Sequence, residues 1–494
     1  MINKFKTFKW ALLFIILAEL LSLSGYLLPN VNKAVFILIV IITLFVSLKD
    51  LKYGIYILLA ELVIGSKGYL FYWETDQAAV SIRIALWLII MSVWIAKALR
   101  YRQGLQFLKS RFKYYWLALF VGVVLAGLGG LASGNNYSNI FFDANNWLYL
   151  AIIFPIYQLF NEKKLKILWQ VVMAGVSWIA IKTYILLFFF SHNLFSANSV
   201  LYGWVRNSGI GEVTMTQSGF FRIFFQSHIF IVLAVFGILL LLAMAVKKSD
   251  KKRIIKYSIG LTLLISLVIT SLSRSFWAGS LIGLMIFWPL SISIYKLKLK
   301  KFLSVNGLIV LSGLMSLILI AAIIKFPYPE PVADFSATTL IDRANLTTEA
   351  AASSRWSLLP ELWKSIKHNP VSGQGFGATV TYISSDPRVV QNTADHSYTT
   401  YAFEWGWLDI WLKFGLWGLL AYLALIIKLV HDGLIKRSSK QPLVLAWTMG
   451  LAVLAVVHIF TPYLNHPLGL GYLILASLII DISGENKPEQ LTLV

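Results

Sequence analysis

Apolar runs of roughly 18 or more residues follow one another from Trp10 to Ile480, separated by short polar stretches. No other feature narrows the possible folds as much. Roughly 20 helical residues cross the hydrocarbon layer of a bilayer, so each run is a candidate span. In lipid, backbone amides must bond within their own helix or within a closed barrel, and long runs without strict alternation favour helices. Composition agrees: 58% of the 494 residues are hydrophobic, 13% are charged, and the mean hydropathy is +0.74. A water-soluble chain of this length carries more charge. The expected fold is all-α: a polytopic membrane protein with about 12–14 transmembrane helices and a large extracytoplasmic loop before the last spans.

Spans are predicted near 10–28, 34–48, 52–70, 82–98, 114–133, 147–160, 167–190, 223–246, 254–271, 275–295, 302–325, 405–430, 443–460 and 467–482. Residues 1–325 then form an N-terminal bundle, 326–404 the large loop, 405–482 the last spans and 483–494 a cytoplasmic tail. Met1 to Leu28 reads as an uncleaved first helix, because small residues at a cleavage site are not evident.

The net charge of +21 would point to nucleic acid in a soluble domain. Its distribution points instead to membrane topology. With the N-terminus inside, the inner loops include Arg100–Lys113, NEKKLK (161–166), KKSDKKR (247–253), KLKLKK (296–301) and HDGLIKRSSK (431–440). All are basic, as cytoplasmic loops are. The outer loop SGNNYSNIFFDANN (133–146) has no lysine or arginine. There are no cysteines, which excludes disulfides and thiolate chemistry.

Two outer loops are long, Ser191 to about Arg222 and about Phe326 to Phe403. In the second, RWSLLPELWKSIKH (355–368) repeats Trp356, Leu359, Leu362, Trp363 and Ile366 at helical spacing, and Asn369-Pro370 ends that helix. The GQGFG turn (373–377) follows.

Against this map, TSLSRSFWAGS (270–280) sets an arginine in a tight hairpin on the outer side. Snorkelling or helix capping is the ordinary role of such a residue. Arg274, however, has Ser271, Ser273 and Ser275 around it, and Arg206, Arg222, Arg343, Arg355, Lys364, Arg388 and His396 lie on the same side. Arg222 is expected to open a membrane helix. Arginine's planar fork matches phosphate oxygens, so convergent arginines would hold a lipid-borne phosphate or diphosphate. Lys182, inside a span, is expected to snorkel, and His228 to line a groove or bond across helices. No metal constellation is evident: there is no DxD on an outer loop, no HExxH and no paired histidines at ligand spacing.

The order of these features resembles the bacterial O-antigen ligase and O-antigen polymerase superfamily. The matching pieces are the helix start at Ser273 to Trp277, the Arg355-Trp356 helix and HNPVSGQGFG (368–377). They continue with the histidine of ADHSY (394–398) and KFGLWGLLAYL (413–423). The likeness covers about residues 220 to 425 by motif.

It implies transfer of a glycan from a polyprenyl-diphosphate donor to a hydroxyl acceptor (a glycolipid, glycan or protein). Transfer takes place at the outer face of the cytoplasmic membrane, with inversion and with no metal, cofactor or nucleic acid. Arg222, Arg274 and Arg355 would bind the diphosphate and stabilise the leaving group. His396 would be the base, oriented by Asp395, with Glu404 and Asp409 as rival carboxylates. A repeat-unit polysaccharide polymerase or an oligosaccharide-to-protein transferase would use the same donor. A lipid-glycan flippase fits less well, because few charges lie mid-span.

Overall fold

The computed structural model describes residues 6–75, 79–102, 104–192, 194–344, 350–391, 395–435 and 442–485. The HDGLIKRSSK loop from 436 onward and the tail beyond 485 lie outside them. The first half comprises α1 (Lys6–Leu27), α2 (Pro29–Lys49), α3 (Leu51–Ile64), α4 (Ile82–Arg100), α5 (Lys113–Ala132), α6 (Tyr137–Leu148), α7 (Ile153–Leu159), α8 (Glu162–Ser191) and α9 (Phe195–Asn207). The second comprises α10 (His228–Lys248), α11 (Lys251–Thr270), α12 (Arg274–Ser293), α13 (Leu299–Ile324), α14 (Ala337–Ala344), α15 (Ala350–His368), α16 (Pro387–Val390), α17 (Gly406–Ile435), α18 (Pro442–Phe460) and α19 (Pro467–Glu485). Three two-stranded antiparallel ribbons complete it: β1 (Tyr72–Glu74) with β2 (Ala79–Ser81), β3 (Gly211–Met215) with β4 (Phe221–Phe225), and β5 (Val380–Ile383) with β6 (Ser397–Thr400).

Among the described residues, 12 helices are long and apolar enough to cross a membrane, with α6 and α7 counted together as 137–159. Polar caps start several of them: Ser81 accepts from Ile84 N, Asn161 from Lys164 N and Asp250 from Arg253 N. Long apolar faces stay exposed on outer helices, such as Val121, Val124, Leu125 and Leu128 on α5, where lipid replaces water as solvent. The predicted spans at 52–70 and 467–482 correspond to α3, of 14 residues, and α19. Both are mostly apolar and largely buried among the others, and their buried acids are ion-paired, Glu61 with Arg83 and Asp481 with Arg111.

The loops gather at two ends. At one, Arg111 reaches Asp432 (3.7 Å) and Asp481 (3.3 Å), and Lys301 Nζ donates to Ser249 Oγ (3.2 Å). At the other, the two long loops interlock into a cap. Val332 N donates to Ser191 O (2.9 Å), Asp334 N to Gly219 O (3.3 Å), and Ser218 Oγ meets Thr339 Oγ1 (2.8 Å).

Three expectations are corrected. Arg222 does not open a helix: it lies on β4, paired with Thr214, and α10 begins only at His228. The aromatic and β-branched FRIFF run is better suited to a strand. Lys182 does not snorkel: it is 3% exposed, with Nζ 2.6 Å from Glu19 Oε1. A carboxylate on the neighbouring α1 makes pairing cheaper than reaching for the interface. The apolar face of α15 is rotated. Leu358, Leu362 and Ile366 enter the cap core with Ala378, Val380, Phe403 and Leu412. Trp356 and Trp363 stay half exposed and rest edge-on against Trp405 and Trp411. Branched aliphatics fill the core, while the tryptophans cover its rim.

A broken helix joins cap to bundle. Gly415 (φ 68°, ψ −176°) interrupts α17, a conformation that a side chain would strain. The carbonyls freed there are claimed by the GQGFG turn: Gln374 N donates to Leu412 O (2.7 Å) and Gly375 N to Lys413 O (3.1 Å). Phe376 N continues to Ala126 O on α5 (2.8 Å), and Asn135 Nδ2 donates to Gln374 O (2.9 Å) and Phe376 O (2.8 Å). A Cβ on Gly375 would collide with Gly130 N. Two motifs about 40 residues apart are thus halves of one joint.

Candidate functional site

The reversal from α11 to α12 takes three residues, Ser271 to Ser273. Such a short turn puts Leu272 at φ 44° with its side chain fully buried. A left-handed leucine costs roughly 1–2 kcal/mol, which burial of its side chain offsets. Two carbonyls at the turn then meet arginines from elsewhere. Arg222 Nε donates to Ser271 O (2.9 Å) and Arg343 Nε to Leu272 O (2.7 Å). Arg274 Nε in turn donates to Arg343 O (2.7 Å), near the end of α14. Guanidinium groups from β4, α12 and α14 are therefore anchored around one turn. Carbonyl anchors fix the plane of a guanidinium without cancelling its charge.

The surroundings suit an anion. Arg274 is the first residue of α12, where the helix dipole is positive. Ser273 Oγ meets Ser275 Oγ (3.1 Å), which accepts from Thr461 Oγ1 (3.0 Å). Below Arg222 lies an aromatic shelf. The guanidinium is 4.7 Å from the Phe224 ring, and Phe224, Phe276 and Tyr463 pack in sequence. Glu212 Oε2 approaches Arg222 Nη1 at 3.8 Å, and its side chain is 56% exposed, so water weakens that pair.

Arg355 is held elsewhere. Its Nε is paired with Glu404, and its carbonyl accepts from Trp405 Nε1 (3.0 Å). The Glu404 segment nevertheless reaches the arginine turn. Trp405 packs on Phe460 (5.6 Å), and the next residue, Thr461, bonds Ser275 beside Arg274.

His396 stands at the base of the β5–β6 ribbon with φ 55° and an exposed side chain. Its carbonyl accepts from Ser384 N (2.9 Å), and Ser384 Oγ meets Ser354 Oγ (2.9 Å). The Asp395 carboxylate accepts from Ser397 N (3.2 Å) and Ser397 Oγ (3.0 Å), so its described bonds do not orient His396. The Ser397 hydroxyl, followed by its amide, holds the Asp395 carboxyl below the usual range. Asp409 is 4% exposed and ion-paired with Lys413. Arg388's side chain lies outside the described residues.

Two roles were not assigned from the sequence. Arg343 carries the third guanidinium of the turn; its sequence signal was only its place in an outer loop. Lys413 forms a buried knot with Asp143 and Asp409. Its signal was the Asp409–Lys413 spacing of four, one helical turn, inside an apolar helix.

Residues 259–423 match the family model described as O-antigen ligase. That stretch holds Arg274, the Ser271–Ser273 turn, α14, α15, the GQGFG joint and the part of α17 that contains its break. Over that third of the chain the protein is similar to the O-antigen ligase superfamily, which supports a ligase-like glycosyltransferase, and its membrane-length helices make it a polytopic helical membrane protein. No curated protein matches the sequence.

Proposed function

We propose that the protein transfers a glycan from a polyprenyl-diphosphate lipid to a hydroxyl acceptor, with the cap on the extracytoplasmic side. The observation that carries this reading is the anchoring of Arg222, Arg274 and Arg343 around the single turn Ser271–Ser273. As the bond from the sugar C1 to the diphosphate oxygen breaks, both its electrons go to the leaving group. Pre-oriented guanidiniums meet that growing charge without reorganising, an effect of about 10²–10³ per donor in comparable sites.

The acceptor hydroxyl attacks C1 and gives up its proton. Glu404 is the group we assign to take it. What supports Glu404 over His396 is its contact path through Trp405, Phe460 and Thr461 to Ser275. Arg355 then orients this carboxylate rather than the diphosphate. The basic loops of the opposite end support a cytoplasmic location for them.

The test uses purified protein in lipid with a polyprenyl-diphosphate glycan and glycolipid, glycan and peptide acceptors. Glu404→Gln should slow transfer by about 10²–10⁴ with donor affinity preserved. His396→Ala should leave most of the rate. The reverse outcome moves the base to His396. Release of no polyprenyl diphosphate with any acceptor would end the proposal.

A further inference from the structure

One buried charge has no part in the reaction just described. Lys413 lies two turns into α17, with 5% of its side chain exposed. Its Nζ stands 2.8 Å from Asp143 Oδ1, 2.8 Å from Asp409 Oδ1 and 2.8 Å from Tyr401 O. Nζ donates hydrogen bonds to Asp143 Oδ1 and Tyr401 O, and Asp409 Oδ1 is held beside it as an ion pair.

Each contact leads to a different part of the cap side. Asp143, on α6, accepts through its other oxygen from Gly377 N (2.8 Å), at the end of the GQGFG joint. Asp409 accepts through its other oxygen from Asn465 Nδ2, on the 461–466 loop whose Thr461 bonds Ser275. Tyr401 stands three residues before Glu404, a reach of at most about 10 Å along the chain. A single ammonium thereby ties together the segment bearing Glu404, the joint that docks the cap, and the loop that touches the arginine turn.

Stability alone does not explain such a group. Burying one cation with two carboxylates carries a large desolvation cost, and well-packed apolar residues often hold a fold equally well. What apolar packing lacks is a directional three-way junction.

We propose that Lys413 is a positioning residue that sets the distance between Glu404 and the arginine turn through Asp143, Asp409 and Tyr401. This rests on the reading that Glu404 and the arginines serve one transfer. A misplacement of about 1 Å in a reacting pair costs roughly 100-fold in rate.

The experiment compares Lys413→Met, Asp409→Asn and Arg274→Ala in the full chain in lipid nanodiscs. Two quantities are read: affinity for a polyprenyl diphosphate lacking a glycan, and turnover at saturating donor and acceptor. For Lys413→Met we expect affinity within about twofold and turnover lower by about 100-fold. Asp409→Asn keeps the side chain's shape but removes its charge, and should lose about three- to tenfold. Turnover of Lys413→Met within about threefold of the parent overturns the proposal, as does an equal fall in affinity and turnover.

If Lys413→Met does not fold, Asp409→Asn decides. The chain has no cysteine, so spin labels can be placed at Met215→Cys and Ile383→Cys, each 62% exposed, on the two cap ribbons. Asp409→Asn should broaden the label-to-label distances; an unchanged distribution with unchanged turnover overturns the proposal. Undiminished diphosphate affinity in Arg274→Ala would instead sink the site reading itself.

Discussion

The arginine turn and the lysine knot stand on the same side of the bundle, and both tie the cap to it. The acceptors described at the two places differ. Around Ser271–Ser273, Arg222, Arg274 and Arg343 each donate a hydrogen bond to a carbonyl oxygen, and Arg222 also approaches the exposed Glu212 carboxylate. Around Lys413 the anchors are two carboxylates, one hydrogen-bonded and one ion-paired, and a carbonyl. A carbonyl orients a cation without opposing it with a full charge, whereas buried carboxylates offset much of its field. The first arrangement suits receipt of an anion and the second suits holding segments at fixed separation.

The sharpest way to break this contrast is to remove one anchor from each side. Asp143→Ala leaves Lys413 with one carboxylate and strips Gly377 N of its acceptor. It should cost about 3–5 kcal/mol, read as a lower unfolding midpoint. Arg274→Ala should cost transfer about 10²–10³ in rate while moving that midpoint little. If the arginine variant unfolds early and the aspartate variant does not, the assignment of roles is inverted.

A finer cut is Arg343→Lys, which keeps the charge but loses the planar fork on Leu272 O. Donor affinity should fall by about five- to tenfold, roughly 1 kcal/mol. Full affinity would mean that charge alone suffices.

The smallest effect is expected away from both regions. Ser397→Ala removes the hydroxyl that holds Asp395's carboxyl down, so its titration should move up toward the ordinary carboxylate range, read by NMR. A depressed carboxyl stabilises the fold above the ordinary carboxylate range, and that contribution is lost as pH falls through the folded-state value. Transfer at neutral pH should be unchanged.

Much of the architecture was legible because it follows from solvent. Most of the runs read as spans are membrane-length helices, since lipid leaves the backbone no other bonding partner. Local patterns were less decisive. FRIFF read as the start of α10 because a strand of five residues and a helix's first turn look alike in an apolar window. The stripe of α15 was read about one position out, because tryptophan counts as apolar whether it fills a core or covers its edge.

The candidate site divides along the same line. Arg274 stood out by its context of serines in a membrane hairpin, and the ordered motifs pointed to a family that residues 259–423 then matched. Nothing in the chain order says that Arg222 and Arg343 lie on the carbonyls of that same turn, or that Arg355 pairs with Glu404. Nor does it say that Asp143 and Lys413, 270 positions apart, share a bond. Hydropathy acts on each segment separately, so sequence alone determined which segments enter the membrane. Which charges meet depends on how the segments pack, and only the tertiary structure decided that.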